Sequence, residues 1–518
     1  MKPKEIILNP DEVKQGFGKE CLHYVPICES FKALVEDKSF NEVMDGLRNE
    51  NGSKSTLDDV KDGAAIKTNH FFKENPGAFS LLVYSDALEV ANPLGAGRLK
   101  HKIVQVFWSI SDLPRLHRSQ IDKLQLGLVF REKLLKKYSL DKIFKHFVDD
   151  LKLLESGIAV EKPVARTVKA GLLAYSADNL EAHIIGGFSP CFSSRDICRF
   201  CHLKYKNLCT NIHNFAAENA HKPWTVEEYD IIVNGFDKSA DDIGFEETTR
   251  DNLFTEFDEP AEDDELEESE EESDQDEENE EEDTTDNYGL KTECVFNKLA
   301  AFHCVTSMPP DCLHDLFEGV LAQDLLGIIR ILKDKRWFSL EDYNAALKQF
   351  PLSSQEASNK PQLVPSKNSV KKLPGKAVSV WCHMRFFLPI IYQNNWILDA
   401  EDSVLELAIL LTEITQRITA ERFEEYEIDV LEEVVIKYLD LRKLVLEENP
   451  CLGTPKPKHH FICHYGENIR KFGPPLGFWT GRYESKHRVA KAIAESSKNF
   501  KNISLTVATR QQLRMASI

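Results

Sequence analysis

The chain has 518 residues, of which 85 are acidic and 64 basic, for a formal charge of −21. The whole excess lies between Glu256 and Asp286, where 21 Asp or Glu occur without a Lys or Arg, so 64 acids face 64 bases elsewhere. In a chain that is 42% hydrophobic, this balanced body can bury a large core and does not exclude nucleic acid, whereas the lack of an 18-residue apolar run or an apolar leader argues against a membrane span or secretion.

In chain order, residues 1–75 read as helical and polar, with apolar residues at helical spacing in FKALVEDKSFNEVMDGLRN. The first strand is expected at Phe79–Tyr84, ending at Ser85 and Asp86. ANPLGAG is punctuated as a turn, and Ile103–Ile110 reads as a second strand. From Ser119 to Glu155 the pattern is helical in two pieces. A third strand is expected at Thr167–Tyr175, running into Ala177 and Asp178. This order starts a mixed α/β sheet with an Asp just past each of two strand ends, where open sheets place ligands.

The next segment, Ser193–Thr210, is Cys-rich and basic. Residues 238–290 form an acidic low-complexity stretch too poor in apolar residues to fold alone, so a disordered loop is expected there. Residues 291–450 are mainly helical by pattern, with a Pro- and Lys-rich loop at Pro361–Lys376. The end, 455–518, carries 12 Lys or Arg against 3 Glu. Twelve Cys without framework spacing fit a reducing compartment.

Two constellations can carry chemistry. Cys198 and Cys201 form a CxxC, half of a tetrahedral zinc site, and the spacing leaves three outcomes open. A local site would add Cys209 and His213. A distant one would add His464 with His459, or with His460 in its place, from the stretch His459–His464. The third outcome is no metal. The other constellation is Asp86, Asp178 and Glu484. Three carboxylates from two strand ends and a helix are what a two-magnesium site needs, because hard cations take carboxylate oxygens. Each acid alone is also an ordinary turn or helix residue. His314, Asp315 and Glu318 read as structural hydrogen-bonding residues on a helix, and Trp108, Trp381 and Trp479 as core.

These pieces resemble a known family. SDALEVANPLG, beginning at Ser85, and ADNLEAHIIGGFS, beginning at Ala177, look like the first- and second-aspartate motifs of the animal form of CACTA (En/Spm) DNA transposases. Cys198 to Cys201 falls where that family carries its CxxC. MPPDCLHDLFEGV, beginning at Met308, resembles its HDxxEG segment. The histidines of His459–His464, followed by Tyr483 and Glu484, are similar to its paired histidines and third acid. The same plan recurs in the recombinase of vertebrate antigen-receptor assembly.

The resemblance implies an α/β RNase H-like (retroviral integrase-like) mixed sheet core interrupted by a large, mainly helical insertion. The expected divisions are an N-terminal helical region 1–75, a first core part 76–214, an insertion 215–455 and a C-terminal core part 456–518. It also implies metal-dependent hydrolysis and strand transfer of DNA. Asp86, Asp178 and Glu484 would hold Mg2+ or Mn2+, and Cys198, Cys201, His459 and His464 would hold structural Zn2+. Arg482, Lys486 and Arg488 would neutralise phosphates. DNA is the expected partner, in the nucleus, with a homodimer plausible for synapsis of two ends. The acidic stretch could contact the chain's own basic tail or basic proteins. No finger or helix-turn-helix spacing is evident in the first 75 residues, and this, together with the acidic block, motivates the alternative of a domesticated, non-catalytic nucleic-acid-binding or regulatory protein.

Overall fold

The computed structural model describes residues 1–48, 56–90, 102–118, 120–192, 196–212, 221–240, 287–354 and 356–516. The acidic run 256–286, the turn ANPLGAG and His213 lie outside the described residues.

Eight strands occur among the described residues: β1 (Lys4–Ile7), β2 (Cys21–Tyr24), β3 (Phe79–Glu89), β4 (Lys102–Ile110), β5 (Gln125–Arg131), β6 (Ile158–Val160), β7 (Arg166–Val168) and β8 (Ala170–Ser176). Six of them make one mixed sheet in the order β1-β2-β5-β4-β3-β8, and β6 and β7 pair separately. Every neighbouring pair in the large sheet is antiparallel except β3 and β8, which run parallel from Phe79 opposite Ala170 to Tyr84 opposite Ser176. Between β5 and β8 comes the Leu140–Ser156 helix, the kind of crossover that brings a strand back parallel.

Both faces of the central strands are covered, which is why β3 and β4 read as continuous apolar runs. Alternate residues go opposite ways. Leu81, Val83, Val104, Val106 and Trp108 pack with Phe144, Phe147 and Leu151 of the Leu140–Ser156 helix. Tyr84, Leu88, Ile103 and Phe107 face Ala490, Ala494, Ile503 and Val507 of two C-terminal helices, Gly481–Ser497 and Ile503–Ala516. Gly127 in β5 is required by close packing, because a Cβ there would lie 2.4 Å from Cε2 of the buried Phe147. Gly127→Ala is therefore expected to destabilise by about 1–3 kcal/mol through overpacking. Urea denaturation checks this, and an unchanged midpoint would contradict the packing.

The helical body has its own core. A π-helical segment, Leu313–Val320, continues into the Leu321–Asp334 helix. These pack with the helices Ala377–Gln393, Ser403–Ile418 and Glu425–Glu448 around Leu325, Ile328, Phe387, Leu411, Leu431 and Tyr438. The span from Pro361 to Lys376 contains neither helix nor strand, as its composition predicts. Trp108 is fully buried, while Trp381 stacks on Phe317 with ring centroids 5.2 Å apart and Trp479 packs edge-on to the same ring, so all three belong to core packing. No helix among the described residues is long and apolar enough to cross a membrane.

Several expectations need correction. The N-terminal region contains β1 and β2, which are too short and too polar to announce themselves by periodicity. The span expected to be helical from Ser119 to Glu155 contains β5, whose leucines suit either period until β4 pairs with it. The expected third strand splits at Lys169 into β7 and β8, and β3 continues five residues beyond Tyr84. The margins of the expected disordered loop 238–290 are structured: the Val226–Ala240 helix enters it, and Leu290 is buried and bridges Phe188.

Candidate functional site

The sheet brings two of the three carboxylates to one end. Pairing of β3 with β8 stops at Tyr84 and Ser176, and each chain places an Asp two residues further on. Asp86 is still inside β3, opposite Gln105 of β4, rather than in a turn beyond a strand end. Asp178 caps the Asn179–Gly186 helix, its Oδ1 accepting from Glu181 N at 2.7 Å. This uses one carboxylate oxygen and fixes the orientation of the other.

Glu484 arrives from the Gly481–Ser497 helix, in its first turn. Two contacts seat that turn. Tyr483 stacks on Tyr84 with ring centroids 4.6 Å apart, and Thr480 donates both its N–H (3.0 Å) and its hydroxyl (2.6 Å) to Asp311. Asp311 also accepts from His314 Nδ1 at 2.6 Å, which turns His314 Nε2 toward Glu484 Oε1, 3.4 Å away. One helical turn beyond Glu484, His487 Nδ1 lies 3.4 Å from Asp86 Oδ2, and Tyr84 donates to the same oxygen at 3.0 Å.

The electrostatics mark a crowded acid site. Burial, then the charge of Asp178 and more weakly that of Glu484, push Asp86 up to about 8, with His314 opposing. Burial pushes Glu484 up to about 7, against the pull of His314. Burial would lower His314, but Asp311 outweighs it, with Asp178 and Glu484 adding, and the imidazole is held well above its ordinary range. Glu181 is raised by burial and by repulsion from Asp86 and Asp178. Burial lowers His487 to about 3, so its contact with Asp86 is that of a neutral imidazole and not an ion pair. The donor oxygens of Asp86, Asp178 and Glu484 do not form one of the clusters in which all ligand atoms lie within 4.8 Å. The three acids are near enough for Asp178 and Glu484 to act on the charge of Asp86, without forming one compact ligand set.

A second constellation is compact. Cys198, Cys201, His460 and His464 are all buried, with donor atoms within 4.8 Å of one another. Cys201 Sγ lies 3.2 Å from His460 Nε2, Cys198 Sγ lies 3.5 Å from His464 Nε2, and the two Nε2 atoms are 3.0 Å apart. Ligands on a tetrahedral zinc ion are separated by about 3.3–3.8 Å, so two thiols and two imidazoles here could bind a metal such as zinc. His460 Nδ1 contacts the Ile212 carbonyl at 2.6 Å, an outer bond that leaves Nε2 free for a metal. Burial would raise the Cys198 thiol, yet the hydrogen bond from Cys201 and the charges of His460 and His464 hold it well below its ordinary range. Burial and the Cys198 thiolate push Cys201 well up.

The structure seats His460 in this cluster in place of His459. Residues 460 and 464 are one turn apart on a helical segment and face one way, while 459 is rotated off that face. His459 instead accepts from Lys456 N through Nδ1 (2.9 Å) and approaches both oxygens of Asp324 through Nε2 (3.2 Å each). Cys209, the local alternative, is exposed and outside the cluster.

Of the expected phosphate contacts, Arg482 and Arg488 are exposed. Lys486 is not available: it is 3% exposed, and its Nζ donates to the carbonyls of Ile121 (2.6 Å) and Leu124 (2.9 Å). It ties the helix to the sheet. Arg199, inside the CxxC, is also buried and donates to Asn179 Oδ1 at 2.8 Å. Asn179 in turn donates to Asp315, which accepts from Tyr465 at 3.1 Å. The thiol cluster and the helix capped by Asp178 are therefore joined through buried polar bonds. Asp315 is structural, as expected, while His314 belongs to the acid site.

Sequence reasoning missed Asp311, Thr480, His487 and Glu181. Glu181 and Asp311 lie inside two of the quoted motifs and His487 lies three residues after Glu484, so each of these had a local signal. No family model matches this chain, and no curated protein matches it.

Proposed function

We propose that this chain is a transposase-like protein with an RNase H-like core, acting by metal-dependent hydrolysis and strand transfer of DNA phosphodiesters. The observation that carries the reading is the meeting of Asp86, Asp178 and Glu484, 398 residues apart at the extremes, at one end of a mixed sheet with His314 between them. A helical body inserted between the second and third acids, and a possible metal cluster bridging its two flanks, are the arrangement that the sequence resemblance requires.

The donor set suits hard divalent cations, since each acid presents oxygen and their mutual repulsion is what a cation relieves. Bound Mg2+ would supply activation of the attacking oxygen and stabilisation of the leaving one. The chain's own contribution is positioning. Tyr84 and His487 hold Asp86, the helix cap holds one oxygen of Asp178, and His314 anchored on Asp311 holds Glu484. Arg482 and Arg488, exposed on the helix that carries Glu484, are placed for backbone phosphates of DNA.

The test measures nicking and strand transfer with Mg2+ or Mn2+ for the wild type and Asp86→Asn. The variant is expected to lose activity by about a hundredfold or more while retaining its DNA affinity. Activity that survives undiminished would remove Asp86 from the site. Salt-dependent DNA binding with no metal-dependent cleavage by the wild type would leave the non-catalytic, domesticated reading.

A further inference from the structure

A third set of metal-type donors lies far from both constellations in sequence, on the outer strands. Glu5 of β1 is directly opposite His23 of β2, and Cys21 is two residues from His23 on the same strand. The two-residue period puts all three side chains on one face. That face is the opposite of the one on which Leu22 and Tyr24 enter the main core. Their donor atoms all lie within 4.8 Å of one another.

The geometry is built more specifically than chance proximity on a strand pair. Glu5 divides its carboxylate: Oε1 accepts from Lys19, while Oε2 lies 3.7 Å from Cys21 Sγ and 3.9 Å from His23 Nε2. His23 is only 2% exposed, and neither ring nitrogen has a hydrogen-bond partner. A buried imidazole left in that state costs free energy that a bond to Nε2 would recover. Tetrahedral ligands on zinc sit about 3.3–3.6 Å apart, so the two contacts of Glu5 Oε2 lie within roughly half an ångström of the spacing an ion imposes.

We propose that Glu5, Cys21 and His23 form a second metal site that takes a zinc-class divalent ion, with three protein ligands and one position open to solvent. The nitrogen and sulfur donors select a borderline-soft transition metal over Mg2+ or Ca2+. Glu5 and Cys21 at the outer lip leave an entry path, while His23 forms the floor. Binding releases the Cys21 thiol proton to solvent and forms a metal–thiolate bond, with no change of oxidation state.

The experiment counts metal on the full chain. Wild type, Cys21→Ser and Glu5→Ala are loaded at the same buffered free zinc, freed of loose metal and assayed for zinc per chain. Cys21→Ser is expected to carry one zinc fewer than wild type, and Glu5→Ala to hold that zinc more weakly. Cobalt loading should show a thiolate-to-cobalt absorption that falls in Cys21→Ser. Equal zinc content in wild type and Cys21→Ser overturns the proposal. Because the readout is a difference between these chains, it is independent of whether the Cys198 cluster is loaded. A fourth chain, Cys198→Ser/Cys201→Ser, reports that cluster separately.

Discussion

Cys198→Ser/Cys201→Ser, or removal of metal by a strong chelator, is expected to cost about 5 kcal/mol or more of stability. Structural zinc contributes about 10–16 kcal/mol of apparent binding free energy in small domains, and a ligand present at a thousandfold its Kd still contributes about 4 kcal/mol. Here the four donors come from chain segments some 260 residues apart, so a bound ion would close a very long loop. Both sides are anchored in packed structure. Cys198 and Cys201 sit among Ile197, Leu203, Leu208 and Phe461, while Ile462 and Cys463, between the two histidines, pack into the helical body. Losing the ion would leave buried thiols and imidazoles with unbalanced charge as well as an open loop. Chemical denaturation with and without chelator, alongside zinc analysis, measures the effect. A midpoint that ignores both the chelator and the double substitution would rule out a metal holding this junction.

The next largest effect is expected at Asp324, which is fully buried in the helical body. Arg442 grips it with Nε at 2.7 Å and a terminal nitrogen at 2.8 Å, and Tyr438 donates to it as well. His459 completes the shell as a neutral ring, because burial and Arg442 lower it and its Nδ1 already accepts from Lys456 N. Its Nε2–H therefore donates to Asp324, and the contact is a hydrogen bond, not an ion pair. Burial alone would raise the Asp324 carboxyl. The Arg442 charge, with His459, outweighs burial and holds it well below the usual carboxylate range.

Asp324→Ala strands a buried guanidinium and is expected to cost about 3–5 kcal/mol. Asp324→Leu combined with Arg442→Met should recover much of that loss, since neither charge then remains buried. A single substitution costing under about 1 kcal/mol would contradict this account. The pH dependence follows from the depressed folded-state value. The contribution is complete above the unfolded carboxylate value of about 3.9 and disappears as pH falls through the lower folded value. The stability gap between wild type and Asp324→Asn should thus be flat from about pH 5 to 8 and close only in stronger acid.

How much of this was legible beforehand depends on the range of the interaction involved. β3 and β4 were readable because both faces are covered, leaving uninterrupted apolar runs in the sequence. β1, with KEII, and β2, with CLHY, are four-residue outer strands whose identity rests on pairing with a neighbour. Asp86, Asp178 and Glu484 could be named as candidates by motif, yet nothing local in them said that His314 or Asp311 would stand beside Glu484. Thr480 meets Asp311 across 169 residues, a separation that no spacing rule reaches.

The sequence by itself determined the charge plan, the mixed α/β character, the largely helical stretch after residue 291 and the short list of thiols, imidazoles and carboxylates. These depend on composition and on periods of two to four residues, which are local. Tertiary structure decided which members of that list meet. Helical phase turned His460 toward the thiols and sent His459 to Asp324, although the two are neighbours in the chain. Carbonyls of Ile121 and Leu124, more than 360 residues away, drew Lys486 inward, whereas Arg482 and Arg488 on the same helix stayed in solvent. A buried cation must be satisfied by whatever oxygen the fold brings to it, and only the packed chain specifies that partner.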